Sequence, residues 1–296
     1  MTADAPDPQL LIRALPMWSG PVEIEPLSGG ITNMNFLVSE RGRRVVVRYG
    51  GDIPHHGVMR FNELAASKAA AAAGISPQLV YAAPPFLVMD YIPGRTFEAE
   101  DVRKNLHRCL ALVKRAHREM PNHLRGPTLC FNVFHVIRDY AHLLRDEGAH
   151  WTPMLPQLLA GAQKLERALG PIELVFGHND LLAANFIDDG ERLWLIDWDY
   201  AGWGTPLFDL GGLSSNNALV AQENEAMLAD YFDLPPTDAT RRRFQAMVAA
   251  SLLRETLWSM VSEIKSTIDF DYESYTRENL RRFEPAFNAF EELEKT

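Results

Sequence analysis

The sequence predicts an α+β chain of two lobes: an antiparallel, β-rich lobe over residues 1–91 and a mainly helical lobe over residues 92–296. Short apolar or alternating runs, separated by turn residues, fill most of the first lobe and are typical of antiparallel strands. After a break at Ile92, Pro93 and Gly94, apolar residues recur at the three- and four-residue spacing of helices. Late in the second lobe, two short apolar runs followed by acidic residues interrupt the helices and predict a small hairpin.

The composition is that of a globular protein without a basic surface. The 296 residues are enough for one large domain or two lobes with a sizeable core. Hydrophobic residues make up 47% and charged residues 23%, which is ordinary for a globular chain. The net charge of −10 disfavours a nucleic-acid-binding protein, and an acidic surface favours a cationic small molecule as ligand.

Cysteine content and the N-terminal residues indicate the compartment. Cys109 and Cys130 are too few for a disulfide framework or a zinc site. The N-terminus lacks the basic and apolar regions of a signal peptide, and no apolar run reaches the ~18 residues of a membrane helix. We therefore expect a cytoplasmic protein without membrane insertion, either a monomer or a homodimer.

The first lobe is predicted to contain five strands and two helices. Residues 8–18 form a short helix that ends near Pro16. A glycine-rich turn at Ser28, Gly29 and Gly30 follows the first strand, and Arg41-Gly42 joins the next two as a hairpin. An alanine-rich helix ends at Gly74. The predicted strands cover residues 22–27, 35–39, 44–48, 79–81 and 86–91, and the alanine-rich helix covers residues 61–73.

The second lobe is predicted to be helical apart from one hairpin. Residues 173–176 and 193–196 are its two strands, and Asp188, Asp189 and Gly190 allow the chain to double back between them. The predicted helices cover residues 102–113, 131–145, 155–169, 207–213, 223–231, 239–265 and 272–293.

The hairpin region is the candidate catalytic site. Asp180 and Asn185 have the spacing of a kinase catalytic loop, in which the aspartate accepts the proton of the attacking hydroxyl and the asparagine binds Mg²⁺. Asp197 follows the second strand and is the second predicted magnesium ligand. His178 is predicted to bond only to nearby backbone. The sequence therefore predicts phosphoryl transfer from ATP, with Mg²⁺ as cofactor.

The first lobe supplies candidates for nucleotide binding. Arg48 ends a strand and Glu63 lies in the following helix, as in the cation–carboxylate pair that orients the phosphates in kinases. Arginine replaces the usual lysine, and its planar guanidinium can bind phosphate with two hydrogen bonds. The loop residues Ser28, Gly29, Gly30, Thr32 and Asn33 are predicted to contact phosphate, and the backbone of Met89, Asp90 and Tyr91 is predicted to contact adenine.

These residues resemble the choline/ethanolamine kinases, within the aminoglycoside-phosphotransferase-like, protein-kinase-like enzymes. The resemblance extends over most of the chain in order. The similar stretches are Leu27-Ser-Gly-Gly-Ile-Thr-Asn33, Val47-Arg-Tyr-Gly50, Arg60-Phe-Asn-Glu63, His178-Asn-Asp180 with Asn185, Ile196-Asp-Trp-Asp-Tyr200, Leu257-Trp-Ser-Met260 and Ile268-Asp-Phe-Asp-Tyr-Glu-Ser-Tyr275.

The resemblance implies a two-lobed protein-kinase-like fold and an acceptor that is a small amino alcohol, choline or ethanolamine first. It implies that Asp180 is the base, Asn185 and Asp197 bind Mg²⁺, and Arg48 and Glu63 act on the phosphate side. The implied residues near the ammonium head are Tyr200, Trp258, Tyr272 and Tyr275. Aromatic faces attract a quaternary ammonium through cation–π contact.

Three positions depart from the family pattern and leave the acceptor open. Glu255 replaces a second tryptophan, Asn216 replaces an acidic residue, and Ser262 replaces a glutamine. Glu255 is on the helix face of Trp258, where its carboxylate can pair with an ammonium or with a primary amine. The alternatives are a kinase of the same fold acting on thiamine, an aminoglycoside or a sugar, and a nucleotide-binding pseudokinase.

Overall fold

The computed structural model describes residues 7–27 and 33–295. The strands are β1 Glu23–Leu27, β2 Met34–Glu40, β3 Arg43–Tyr49, β4 Leu79–Ala83, β5 Phe86–Asp90, β6 Arg95–Thr96, β7 Val175–Gly177, β8 Phe186–Asp188, β9 Leu193–Leu195 and β10 Gly202–Gly204. The helices are α1 Pro8–Arg13, α2 Arg60–Ala72, α3 Ala99–Lys104, α4 Leu106–His123, α5 Val133–Asp146, α6 Leu155–Leu169, α7 Pro206–Asn216, α8 Ala221–Phe232, α9 Asp238–Lys265 and α10 Tyr272–Glu294.

The N-terminal region contains a five-stranded antiparallel sheet in the order β1-β2-β3-β5-β4. Alternate residues of its strands, such as Val38 and Val47, are buried against one another. Arg41 and Gly42 both have positive φ, as a tight hairpin turn with the right-handed twist of the strands requires. The antiparallel sheet predicted from the sequence is confirmed.

Helix α2 contacts the edge strand β4 of this sheet and packs more extensively against α4. Its alanines at 66, 69 and 70 are fully buried, and their small side chains allow the close approach of α4. Gly74 has a φ of +68° and ends the helix as predicted. The sheet ends at Asp90, and the lobe boundary placed after residue 91 stays a prediction.

The C-terminal region is helical and centred on α9, whose 28 residues pack against α5, α6, α7 and α10. Its residues are buried almost continuously from Phe244 to Ser262, so the helix has little solvent-facing surface in its middle. The predicted helical C-terminal lobe is confirmed. In the part of the chain that the structure describes, no helix is both long and apolar enough to cross a membrane.

The predicted hairpin between residues 173–176 and 193–196 is wrong in its pairing. β7 pairs with β10, whereas β9 pairs with β8, which continues to β6. The turn at Asp188 to Gly190 exists, but it joins β8 to β9. Strands of three residues contain too little alternation to specify a partner, so the contacts of the folded chain decide the pairing.

Two helix predictions need correction. The first helix ends at Arg13 because Pro16 disfavours helical geometry at the preceding residue. The predicted helix over residues 102–113 is two helices, α3 and α4, separated at Asn105. The side chain of Asn105 donates to the carbonyl oxygen of Asp101, which favours a break in the helix.

Candidate active site

A cleft of about 360 Å³ lies between the five-stranded sheet and the loops of the helical region. Met89, Asp90, Tyr91 and Ile92 line one side of it, and Asp197 lines the other. The N–H groups of Asp90 and Tyr91 already donate to the carbonyl oxygens of Gln78 and Arg44. Only the other backbone groups of this segment remain to contact a planar base.

Arg48 lies at the inner end of the cleft and connects both regions of the chain. Its Nη1 donates to Oε1 of Glu63 at 2.6 Å. Its Nη2 lies 2.9 Å from Oδ1 of Asp197 and 2.8 Å from Oδ2 of Asp199. The pair that the sequence predicted, Arg48 and Glu63, is therefore formed, and both side chains are buried.

Arg60 completes this group of charges. It donates from Nη1 to both Glu63 and Asp199, and from Nη2 to Oδ1 of Asn33 at 2.7 Å. Asn33 donates in turn to Asp199. Two guanidinium groups and three carboxylates thus form what we call the interlobe cluster, which comprises Arg48, Arg60, Glu63, Asp197 and Asp199.

The two aspartates of the interlobe cluster differ in environment. Burial raises the pKa of Asp199, and the guanidinium of Arg48 only partly opposes this. Burial acts on Asp197 as well, but the charge and the hydrogen bond of Arg48, with smaller contributions from other neighbours, together outweigh it and lower the pKa. The side chain of Asp197 is one-third exposed toward the cleft, whereas that of Asp199 is 2% exposed. Asp197 is therefore the ionised, accessible carboxylate of the two.

The loop after β7 holds Asp180 and Asn185 close together. Nδ2 of Asn185 donates to the carbonyl oxygen of Asp180 at 2.8 Å, which leaves its amide oxygen as the atom that can bind a cation. His178 donates from Nε2 to the carbonyl oxygen of Ile196 and accepts at Nδ1 from the N–H of Asp180. Burial lowers the pKa of His178, so its ring is neutral. Both ring nitrogens hydrogen-bond to backbone groups, as predicted.

Asp209 on α7 holds the loop after β7 in place through hydrogen bonds to its backbone. Its carboxylate accepts from the N–H groups of His178 at 2.8 Å and Asn179 at 2.6 Å, and from Nε2 of His117 at 2.8 Å. Gly177 is required here, because a Cβ would lie 2.9 Å from the carboxylate. Asp209 thus stabilises the catalytic loop from its helix.

The donor set suits Mg²⁺ bound together with a nucleotide. Asn185 and Asp197 supply one amide and one carboxylate oxygen, and Mg²⁺ is commonly bound by one or two protein oxygens plus substrate phosphates. The described residues contain no group of three or more His, Cys, Asp or Glu that could hold a metal without such phosphates. Asp197 has a φ of 69°, an uncommon conformation that recurs at functional sites.

The residues predicted near the acceptor head also lie together. Nε1 of Trp258 donates to the hydroxyl of Tyr200 at 2.9 Å, and Tyr272 packs edge-on against Trp258. His56 stacks on Trp258 with ring centres 5.1 Å apart, and its Nε2 is bonded to the hydroxyl of Ser262. Tyr200, Trp258 and Tyr272 are buried by these contacts.

Arg254 lies in the middle of this group. Its guanidinium carbon is 4.3 Å from the centre of the Tyr200 ring. Its Nη1 is 2.8 Å from Oε2 of Glu255 and 4.0 Å from Oδ1 of Asp180. Glu255 also accepts from the hydroxyl of Tyr275 at 2.8 Å. We call Asp180, Tyr200, Arg254, Glu255 and Trp258 the α9 cluster.

The electrostatics of Asp180 follow from this arrangement. Burial raises its pKa to about 8; the charge of Arg254 opposes the rise, and the carboxylate of Glu255 adds to it. The side chain of Asp180 is 18% exposed, so it can still be reached by a small molecule.

Each described residue of the predicted site lines the cleft, belongs to one of the two clusters or contacts a member of one. Ser28, Gly29, Gly30 and Thr32 lie outside the described residues. Sequence reasoning missed Arg60, Asp199, Arg254 and His56. Arg60 and Asp199 are inside motifs that were recognised for other residues. Arg254 is a charge within an apolar stretch of helix, a pattern that indicates a buried ion pair. No sequence signal marks His56.

Comparison with known proteins gives the family. A model of the phosphotransferase enzyme family matches residues 23–245. Ethanolamine kinase 2 of Mus musculus is 30% identical over 302 residues, which cover 90% of this chain and 77% of that protein. A probable choline kinase 3 of Arabidopsis thaliana is 24% identical, with coverage of 88% and 86%.

The fold is shared with solved structures. A choline/ethanolamine kinase family protein from Mesorhizobium loti superposes with a TM-score of 0.76 at 27% identity, over 95% of this chain and 97% of that one. The family model spans well over half of the chain, and both the Arg48–Glu63 pair and the Asp180 loop are formed. The chain belongs to the phosphotransferase enzyme family and is a choline/ethanolamine kinase-like enzyme.

Proposed function

We propose that the chain transfers the γ-phosphoryl group of ATP to the hydroxyl of a small amino alcohol of the choline and ethanolamine class, with Mg²⁺ and in the cytoplasm. The observation that supports this most directly is the position of Asp180. It is a partly exposed carboxylate of the α9 cluster, which has the charges for a cationic acceptor. Asp197 and Asp199 of the interlobe cluster, which has the charges for nucleotide phosphates, are near enough to raise its pKa.

Each residue has a distinct part in this proposal. Asp180 accepts a hydrogen bond from the acceptor hydroxyl, aligns it, and receives its proton. Arg48, oriented by Glu63, stabilises negative charge on the nucleotide phosphates. Asn185 and Asp197 would hold Mg²⁺, which when bound neutralises the phosphate oxygens. The segment from Met89 to Ile92 forms the wall of the cleft against which the base of the nucleotide packs.

The main alternatives predict different acceptors or no turnover. A kinase of the same fold could act on thiamine, an aminoglycoside or a sugar, and a pseudokinase would bind ATP without transfer. The presence of Glu255 beside Asp180 favours an acceptor with a cationic head over a neutral sugar. The ionised Asp197 argues for metal-dependent turnover.

An ADP-release assay with Mg-ATP and a panel of these alcohols tests the proposal. We expect choline or ethanolamine to give the highest kcat/KM, and replacement of Asp180 by Asn to lower kcat by about 10²–10⁴. Asp230→Asn is the matched control, because Asp230 is an exposed aspartate far from the cleft, paired with Lys114. Full turnover by the Asp180→Asn variant, or release of ADP only with a neutral sugar, would contradict the proposal.

A further inference from the structure

Arg254 lies over the face of Tyr200, an aromatic surface of the kind that binds a quaternary ammonium. Its guanidinium covers the face of Tyr200, and its side chain is only 5% exposed. Within the described part of the chain, its Nε and Nη2 have no hydrogen-bond acceptor. The cation–π contact with the face of Tyr200 stabilises the buried guanidinium instead. The protein thus places its own cation on the aromatic face of Tyr200.

The other aromatic faces are covered as well. One face of Trp258 stacks on His56, and Trp258 and Tyr272 form a T-shaped pair. Trp258 and Tyr272 are only 4% and 5% exposed. A trimethylammonium group has no N–H and is held chiefly by aromatic faces, and few remain for it here.

The carboxylates of this region, by contrast, retain binding capacity. Glu255 accepts one hydrogen bond at each oxygen, from Tyr275 and Arg254, and a carboxylate has about four acceptor sites. Oε2 of Glu255 and Oδ1 of Asp180 are at most about 7 Å apart, because both are close to Nη1 of Arg254. A two-carbon amino alcohol spans such a gap, with its ammonium on Glu255 and its hydroxyl on Asp180.

The charges of the cluster favour a cation with N–H donors over an anion. Asp180 and Glu255 are two carboxylates against the single guanidinium of Arg254. Burial lowers the pKa of the nearby His56 to about 2, so that ring adds no positive charge. A bound ammonium would favour the ionised form of Asp180, whose pKa burial raises to about 8, and would balance the group, whereas a carboxylate-bearing acceptor would add a negative charge beside Glu255.

We propose that Arg254 and Glu255 are specificity-determining residues that select an acceptor with a primary amine and exclude one with a quaternary ammonium. Arg254 covers the aromatic face that a methylated ammonium group would contact, and Glu255 accepts hydrogen bonds from the N–H groups of a primary ammonium. The inference rests on the proposed phosphotransfer to an amino alcohol and narrows its substrate to ethanolamine-like molecules.

The test is a methylation series with the full-length protein and Mg-ATP. We expect kcat/KM to fall from ethanolamine through its N-methyl and N,N-dimethyl derivatives to choline, by about tenfold or more overall, mainly through KM. Glu255→Gln should lower kcat/KM for ethanolamine about tenfold and leave choline nearly unchanged. Arg254→Ala should raise the choline-to-ethanolamine ratio of kcat/KM about tenfold.

Controls separate the outcomes. Arg254→Lys retains the cation and should retain the preference, and Arg241→Ala removes a surface arginine of the same helix, paired with Glu225. If Arg254→Ala does not fold, the methylation series with the wild-type protein and the Glu255→Gln variant still test the inference. A wild-type protein that prefers choline, or 3-hydroxypropionate, over ethanolamine overturns the inference and leaves phosphotransfer intact. Absence of ADP release with every alcohol overturns the proposed function and this inference with it.

Discussion

The two buried groups of charges, the interlobe cluster and the α9 cluster, are built differently. In the interlobe cluster, Arg48 and Arg60 face three carboxylates, and every pairing joins residues distant in sequence except Arg60 with Glu63. In the α9 cluster, one guanidinium rests on an aromatic ring beside two carboxylates. The first group is closed by mutual ion pairs, whereas the second has two carboxylates with room for another donor.

The difference separates stability from specificity. A closed, buried ion network loses several kcal/mol when one member is removed, because the remaining charges stay buried without partners. The carboxylates of Asp180 and Glu255 are about one-fifth exposed, so solvent or ligand can replace a missing partner there and the loss is smaller. We therefore expect substitutions in the interlobe cluster to act on folding and turnover together, and those in the α9 cluster mainly on the acceptor.

The largest effect is predicted for Arg48→Met. It leaves Glu63 and Asp199 buried without their main cation, so the free energy of unfolding should fall by about 3–5 kcal/mol, and turnover should be lost. Urea denaturation followed by circular dichroism measures the first effect, and ADP release measures the second.

Arg43→Met is the matched control for Arg48. Arg43 begins the same strand and pairs with Asp90 at the surface, where both side chains are about half exposed. An exposed pair contributes about 0–1 kcal/mol, so this variant should unfold close to wild type. Equal losses in the two variants would show that the interlobe cluster is not a closed network.

Each cluster is predicted from the sequence only in part. The short spacing of Asp180, Asn185 and Asp197 predicts a common site, and the position of Arg48 on a strand before the helix of Glu63 predicts their pair. The pairing of β7 with β10 is not predicted, since strands of three residues contain too little pattern to choose a partner.

The missed residues depend on long-range contacts. Asp199 meets Arg60, 139 positions away, only in the folded chain. The same is true of Arg254, whose place over Tyr200 depends on the packing of α9 against the loop after β9. Local pattern thus predicts which residues can do chemistry, whereas the folded contacts decide which charges neutralise one another.

The next effect, of intermediate size, is a pH dependence from the α9 side of the site. Burial lowers the pKa of His56 to about 2, against about 6.5 in the unfolded chain. Below pH 6.5 His56 therefore binds a proton in the unfolded state but not in the folded state. The free energy of unfolding falls as the pH falls from 6.5 toward 2. Between pH 7.5 and 5.5, this one group should cost about 1.4 kcal/mol.

The variant His56→Asn should remove that slope. We expect the change in unfolding free energy between pH 7.5 and 5.5 to be about 1.4 kcal/mol smaller in this variant than in wild type, whatever its stability at pH 7.5. His142→Asn, at an exposed histidine on α5, should leave the slope unchanged. Equal slopes in wild type and His56→Asn would mean that His56 titrates normally in the folded protein.

The smallest effect concerns the hydrogen bond between Trp258 and Tyr200. Its strength shows whether these two rings are held rigidly or are loosely packed. The indole N–H donates to the Tyr200 hydroxyl at 2.9 Å, and both side chains are buried. A double-mutant cycle of Trp258→Phe and Tyr200→Phe should give a coupling energy of about 1 kcal/mol in urea denaturation, because each single variant leaves one buried polar group unpaired. A coupling energy near zero would show that the hydrogen bond does not fix the two rings. In that case the ring of Tyr200 could turn away from Arg254, and its face would become available to the trimethylammonium group of choline.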